Sequence, residues 1–141
     1  MKLTALLVVL FGFGAFSPAV FSQSSQKPEE LAQKAAEAWL SLTDSGKYAE
    51  SWQNASGAFR ARVPQPQLVS ALTGARQPLG KLVSRKLKSA TYTKTAPGAP
   101  DGEYVVIQYE TSFADKASAV ETITPMLDKD GQWRVSGYFI K

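Results

Sequence analysis

The apolar residues of this 141-residue chain change their spacing near residue 79. Before that point they recur every three or four residues, which is the period of an amphipathic helix. After it they alternate, which is the period of a half-buried strand. Helical patterns followed by consecutive strand patterns favour an α+β fold, because strands joined by short connections pair as an antiparallel meander. We therefore expect N-terminal helices packed on a bent antiparallel sheet of about four strands.

The helical half contains three predicted helices. The first begins at Pro28, which suits an initial helical turn, and ends before Gly46. Residues 48–55 are predicted to form a second, short helix, residues 59–63 a connector, and residues 64–77 a third helix. The apolar stripe of the first helix is predicted to consist of Leu31, Ala35, Ala38, Trp39 and Leu42.

The second half contains four strand patterns, over residues 82–92, 103–113, 120–127 and 133–140. Asp130 and Gly131 form a hairpin signal between the last two. Pro125 weakens the third strand and is predicted to guard it against edge pairing. Gly137 predicts a bulge or bend in the fourth.

The N-terminus has the pattern of a signal peptide. Lys2 precedes an apolar run over residues 3–16, and small residues precede a plausible cleavage point before Gln23. The alternative is an uncleaved membrane anchor, but the run is shorter than the roughly 20 residues that a spanning helix needs. We expect a signal peptide at 1–22, a linker at 23–30 and one domain at 31–141. The mature protein is then periplasmic or secreted, without a stable membrane anchor.

The composition excludes several kinds of site. The chain has no cysteine and no histidine, which removes disulfides, thiolate catalysis, the commonest general base and the commonest metal ligand. Asp128 and Asp130 match a solvated turn better than a calcium loop. We expect neither a metal nor a cofactor.

The net charge of the chain is +4, which is mild. The local cluster of positive charges at Lys81, Arg85, Lys86 and Lys88 matches a solvated strand face, so we expect no nucleic-acid partner.

Several short segments of the chain occur together in one known family. They are Asp44-Ser45-Gly46-Lys47-Tyr48, Ser51-Trp52, Arg76-Gln77-Pro78-Leu79-Gly80, Ser84-Arg85, Pro100-Asp101-Gly102-Glu103-Tyr104, Glu121-Thr122 and residues 130–138. With them the chain resembles the exported bacterial family catalogued as domain of unknown function 4019, over about residues 31–140. The layout is also similar to the wider nuclear-transport-factor-2-like superfamily, which implies a cone-shaped domain with a pocket between sheet and helices. Neither resemblance implies a particular activity.

Four charged residues in these segments are candidates for binding an anionic or polar ligand: Arg76, Arg85, Glu121 and Arg134. Arg85 and Glu121 lie on strands that can face a common cavity. Glu121 can also act as a general base there, with the hydroxyl of Tyr109 or Tyr138 as donor to a developing oxyanion. The competing interpretation is a structural Arg–Glu pair that fixes strand register or joins helix to sheet.

Two classes of function follow. The first is a noncatalytic small-ligand-binding or protein-assembly module, which needs no catalytic motif. The alternative is a small isomerase or hydro-lyase, which needs Glu121 in an enclosed cavity. The partner is an unidentified small molecule or protein, and a homodimer stays open.

Overall fold

The computed structural model describes residues 25–141, and the predicted signal peptide lies outside them. Four helices come first: α1 (Pro28–Asp44), α2 (Tyr48–Gln53), α3 (Gly57–Arg62) and α4 (Gln65–Arg76), followed by a 3₁₀ turn at Gln77–Leu79. Four strands follow: β1 (Leu82–Thr93), β2 (Tyr104–Phe113), β3 (Lys116–Leu127) and β4 (Trp133–Ile140). They form one antiparallel sheet in the order β1-β2-β3-β4. The expected α+β class is confirmed.

Helix α1 buries a different face from the predicted one. Leu31 is 37% exposed, whereas Ala32 and Ala36 are fully buried, next to Trp39 and Leu40. Alanines on the buried face let the helix axis come close to the sheet, and a leucine there would hold it away. The predicted stripe is therefore wrong at Leu31 and Ala38, while the core position of Trp39 is confirmed.

The predicted connector after α2 is also wrong, because most of it belongs to helix α3. Ser56 caps this helix, and its Oγ accepts a hydrogen bond of 3.1 Å from the backbone N–H of Phe59. Arg60 and Arg62 lie in the last turn, where cations complement the negative end of a helix. The cap and the C-terminal cations make a six-residue helix possible without a full apolar stripe.

The strand predictions differ from the structure mainly in β3. It begins at Lys116, four residues early, because only Ala114 and Asp115 separate it from β2. Pro125 lies on this interior strand, so the prediction that it guards an edge is wrong. Instead it lies at a shift of register between Thr124 and Pro125, as expected of a strand proline. On the partner strand β4, the shift of register lies between Val135 and Gly137, where the sequence predicts a bulge or bend.

The core fills the space between the helices and the inner face of the sheet. No helix within residues 25–141 is long and apolar enough to cross a membrane. The main core cluster includes side chains from α1, α4 and the three strands β2, β3 and β4: Trp39, Leu40, Leu68, Leu72, Ile107, Tyr109, Ile123 and Val135.

Candidate functional site

Glu121 is a fully buried carboxylate at the centre of a polar cluster. Arg85 donates to both of its oxygens, from Nε to Oε1 at 2.7 Å and from Nη2 to Oε2 at 3.2 Å. Thr111 Oγ1 donates to Oε1 at 2.6 Å, and the Tyr138 hydroxyl donates to Oε2. The sheet register produces this arrangement, because Arg85 pairs with Thr111, which lies two residues along β2 from the partner of Glu121.

The same guanidinium continues the cluster towards the helices. Arg85 Nη1 donates to Asp44 Oδ2 at 2.8 Å, and Nη2 donates to Oδ1 at 3.0 Å. Although burial lowers the pKa of an arginine, the hydrogen bonds to Asp44 and Glu121 raise the pKa of Arg85 above its usual value. Arg85 therefore stays charged between two carboxylates.

Arg76 completes the cluster from the end of α4. Its Nη2 donates to Asp44 Oδ1 at 2.7 Å, its Nη1 donates to Thr43 at 3.0 Å, and the guanidinium lies 4.8 Å from the centre of the Phe113 ring. Asp44 is the last residue of α1, where the helix dipole disfavours a negative charge. Burial alone raises the pKa of Asp44, but the hydrogen bonds from Arg85 and Arg76 lower it below its usual value.

We call Asp44, Arg76, Arg85, Thr111, Glu121 and Tyr138 the buried ion network. Its members come from α1, α4 and all four strands, and its two cations balance its two anions. Burying such charges is costly unless each is paired and hydrogen-bonded, and here each has a partner, although the Nε of Arg76 is left without one among the described residues. Removing one partner leaves another buried charge without a counter-ion. The network is therefore satisfied only in the arrangement of helices and sheet that brings all its members together.

The structure brings three of the four predicted ligand-binding residues together, namely Arg76, Arg85 and Glu121. The fourth, Arg134, lies apart in the β3–β4 hairpin, where it donates to Asp128 at 2.9 Å and to Asp130 at 2.8 and 2.9 Å. Between residues 25 and 141 no cluster of three or more acidic side chains has the arrangement of a metal site.

The two predicted tyrosine donors have different surroundings. The Tyr138 hydroxyl binds Glu121, and burial and the nearby carboxylate raise the pKa of Tyr138. The Tyr109 hydroxyl is buried without a hydrogen-bond partner in the described part of the chain, and burial raises the pKa of Tyr109 to about 12. Both phenols therefore stay protonated at neutral pH.

The chemistry open to Glu121 is restricted by these contacts. Its two oxygens accept four hydrogen bonds, which is about the capacity of a carboxylate. A general base needs a free lone pair within hydrogen-bond reach of the proton that it removes. The arrangement fits a structural ion pair better than a base.

A separate apolar groove lies between α4 and β4, with a volume of about 600 Å³. Leu68, Ala71, Leu72 and Ala75 line it from α4, and the consecutive residues 137–141 line it from the sheet. The Tyr138 ring packs edge-on against Trp39 with 5.0 Å between ring centroids, and both rings line the groove. The Tyr138 hydroxyl points away to Glu121, so the buried ion network lies behind one groove wall.

The superfamily resemblance implies a pocket between sheet and helices, but the residue patterns do not locate this groove. The α4 residues that line it recur at helical spacing, and nothing in that spacing distinguishes a face that packs from one that lines a cavity. The available signal was the pair of alanines at 71 and 75, because small residues leave room between a helix and its neighbour.

The family of the chain follows from a comparison with protein-family models. Residues 35–138 match the family described as protein of unknown function (DUF4019). The chain belongs to this family. Every member of the buried ion network lies within the matched residues. No curated protein matches the chain, and the relation to the nuclear-transport-factor-2-like superfamily stays a prediction.

Proposed function

We propose that this domain is a noncatalytic binding module, and that the groove between α4 and β4 is its binding site. The observation that carries the proposal is the groove itself. A volume of about 600 Å³ falls within the range of roughly 300–1,000 Å³ that is typical of ligand sites. Its lining is mostly aromatic and aliphatic, so burial of an apolar group supplies the affinity.

The saturation of Glu121 supports a function without turnover. The carboxylate that an isomerase or hydro-lyase would use is bound on both oxygens by groups of the same chain. The cations Arg76 and Arg85 are likewise paired with carboxylates instead of facing the groove. We therefore assign the buried ion network to holding the groove walls in place.

The exported location remains part of this proposal. The pattern of Lys2 and the apolar run at residues 3–16 supports it. In that compartment a small module with an apolar groove can carry or sequester a molecule that water dissolves poorly.

The test uses the neutral apolar dye Nile red and two tryptophan variants of α4. Ala71 is exposed and lines the groove, whereas its neighbour Ser70 is exposed and does not. Ala71→Trp fills the groove and is expected to weaken dye binding by about tenfold or more, equivalent to about 1.4 kcal/mol. Ser70→Trp is the matched control and should leave the dissociation constant unchanged. Equal affinity in both variants, or no binding by the wild type, would contradict the proposal.

A further inference from the structure

The sheet side of the groove is formed by a strand edge and not by a strand face. Side chains of a strand alternate between its two faces, so a cavity on one face contacts every second residue. Here five consecutive residues, 137–141, line the groove. Consecutive contacts require that the main chain of β4 is itself part of the wall.

The hydrogen-bond pattern identifies which main-chain groups lie there. Val120 and Lys141 exchange both backbone hydrogen bonds, at 2.9 and 3.0 Å. Because the direction of these groups alternates along an antiparallel strand, the N–H and C=O of Ile140 and Tyr138 point away from β3. In residues 25–141 no main-chain group outside the sheet pairs with them. Further along the same edge, the C=O of Val135 is already occupied by the N–H of Ser56 at 2.8 Å.

The two edges of the sheet differ in how they are protected against pairing. The β1 edge carries Arg85, Lys86 and Lys88 and has two shifts of register, which are devices that prevent a further strand from joining. From Val135 to Ile140 the β4 edge carries no charged residue and no proline. Phe139 on this strand is 52% exposed. The register shift in β4 lies between Val135 and Gly137, and beyond it residues 137–140 form a regular, uncharged edge beside an apolar groove, which is suited to receive a strand.

We infer that the groove binds an extended peptide segment of another protein, which pairs with β4 and inserts alternate apolar side chains towards α4. This inference rests on the proposed function and names the partner of the same site. The segment satisfies the free main-chain groups of Tyr138 and Ile140, which a purely apolar ligand leaves unpaired. It also explains why one wall of an otherwise apolar groove is a peptide backbone.

The length of the free edge argues against a second copy of the chain as occupant. The turn at Ser56 closes one end and β4 ends at Ile140, so the free edge of the strand is short. Stable protein dimers bury about 800 Å² per partner, and so short a pair of edges does not supply that area by itself. A single peptide strand can instead be enclosed by the groove between β4 and α4.

The charges at one end of the groove favour an acidic segment. Lys116 begins β3 and Lys141 follows β4, so antiparallel pairing places both at the same end of the sheet, and both line the groove. Neither lysine forms an ion pair within residues 25–141. An acidic side chain at the end of the bound segment gains attraction there, and salt weakens that attraction.

The experiment titrates the labelled protein with a synthetic peptide and follows the amide signals by NMR. The peptide has about seven residues, alternates valine and threonine, and has an aspartate at each end. We expect the amides of Tyr138 and Ile140 to shift and to become protected from hydrogen exchange. The version flanked by lysines should bind more weakly, and the difference should shrink at high salt.

Two variants of one residue separate backbone pairing from side-chain contact. Ile140→Pro removes an N–H that faces away from β3, which an edge strand tolerates, and Ile140→Ala shortens the side chain but keeps the N–H. We expect Ile140→Pro to weaken peptide binding about tenfold further than Ile140→Ala. Equal loss in both variants would overturn the inference.

The outcomes distinguish the inference from the proposed function. If Nile red binds in the groove while the peptide leaves the Tyr138 and Ile140 amides unchanged, the peptide inference is wrong and the groove function stands. If neither probe binds, both are wrong. Protection of these amides that depends on protein concentration without peptide would identify a second copy as the occupant and would also overturn the inference.

Discussion

Arg85 and Glu121 form a bidentate ion pair, in which Nε and Nη2 of the arginine lie 2.7 and 3.2 Å from the two carboxylate oxygens. Asp44 accepts from Nη1 and Nη2 of the same guanidinium at 2.8 and 3.0 Å, so Nη2 donates to both carboxylates. The guanidinium of Arg85 therefore joins β1 to β3 and to the end of α1.

Removing the charge of Glu121 should destabilise the domain. Glu121→Gln leaves Arg85 with one carboxylate partner in place of two, and loss of one member of a buried pair typically costs about 3–5 kcal/mol. We expect the free energy of unfolding in urea to fall by about 3 kcal/mol. The control is Glu110→Gln, an exposed position on β2 without an ion pair in the described residues, where we expect a change within about 0.5 kcal/mol. Equal stability of the two variants would mean that the network contributes little to the fold.

Loss of the hydroxyl should destabilise the domain at Tyr138 but not at Tyr109. Tyr138 donates to the Glu121 carboxylate, so Tyr138→Phe should lower the free energy of unfolding by about 2 kcal/mol. The Tyr109 hydroxyl is buried without a partner within residues 25–141, so Tyr109→Phe should be neutral or stabilising by up to about 1 kcal/mol. Urea unfolding of both variants in parallel checks this, and a larger loss in Tyr109→Phe would contradict it.

The pairing of Asp130 with Arg134 should be visible in its titration. Hydrogen bonds from Arg134 and from the Gln132 N–H lower the pKa of Asp130 to about 2, from an ordinary value of 3.8. Because the folded-state pKa is depressed, the pairing stabilises the hairpin above pH 3.8, and this contribution is lost as the pH falls through about 2. An NMR titration of the carboxyl carbon should give that midpoint.

Arg134→Gln should return the Asp130 midpoint towards 3.8. The matched control Arg62→Gln changes an exposed arginine on α3 and should leave the Asp130 midpoint where it is. If both variants moved the Asp130 midpoint equally, overall charge and not the specific pair would cause the shift.

Two glycines near the end of α4 should respond oppositely to alanine. Gly80 has φ of +71°, and a Cβ there would lie 2.6 Å from Asp115 Oδ2, so Gly80→Ala should lower the free energy of unfolding by about 1–2 kcal/mol. Gly74 lies within α4 with open space around it, so Gly74→Ala should raise that free energy by about 0.5–1 kcal/mol. Thermal unfolding of the two variants tests the contrast, which destabilisation by Gly74→Ala would contradict.

The sequence predicted the order of elements well because spacing reports local structure directly. The strand pattern over residues 133–140 coincides with β4, and the helix predicted over residues 64–77 contains α4. Helix α3 was missed because its stability comes from the Ser56 cap and not from periodicity. The buried face of α1 was misjudged since spacing alone does not show which of two adjacent faces meets the sheet.

The site was predicted only in part, for a similar reason. The association of Arg85 with Glu121 was foreseen from their strands, whereas Arg134 was grouped with them although its partners lie in its own hairpin. Asp44 was interpreted merely as part of a helix end, because its role depends on Arg76 and Arg85, which are 32 and 41 residues away. The groove depends on the distance between α4 and β4, and no local pattern of residues in the sequence encodes that distance.

The central claim is that the groove, and not the buried ion network, binds the ligand. It is tested most directly by methyl NMR of the protein titrated with Nile red. We predict that the methyl signals of Leu68, Leu72 and Ile140, which line the groove, shift in proportion to bound dye. Those of Val105 and Ile123, which are fully buried core residues outside it, should stay in place. Shifts confined to Val105 and Ile123, or no saturable shift at any methyl group, would contradict the account.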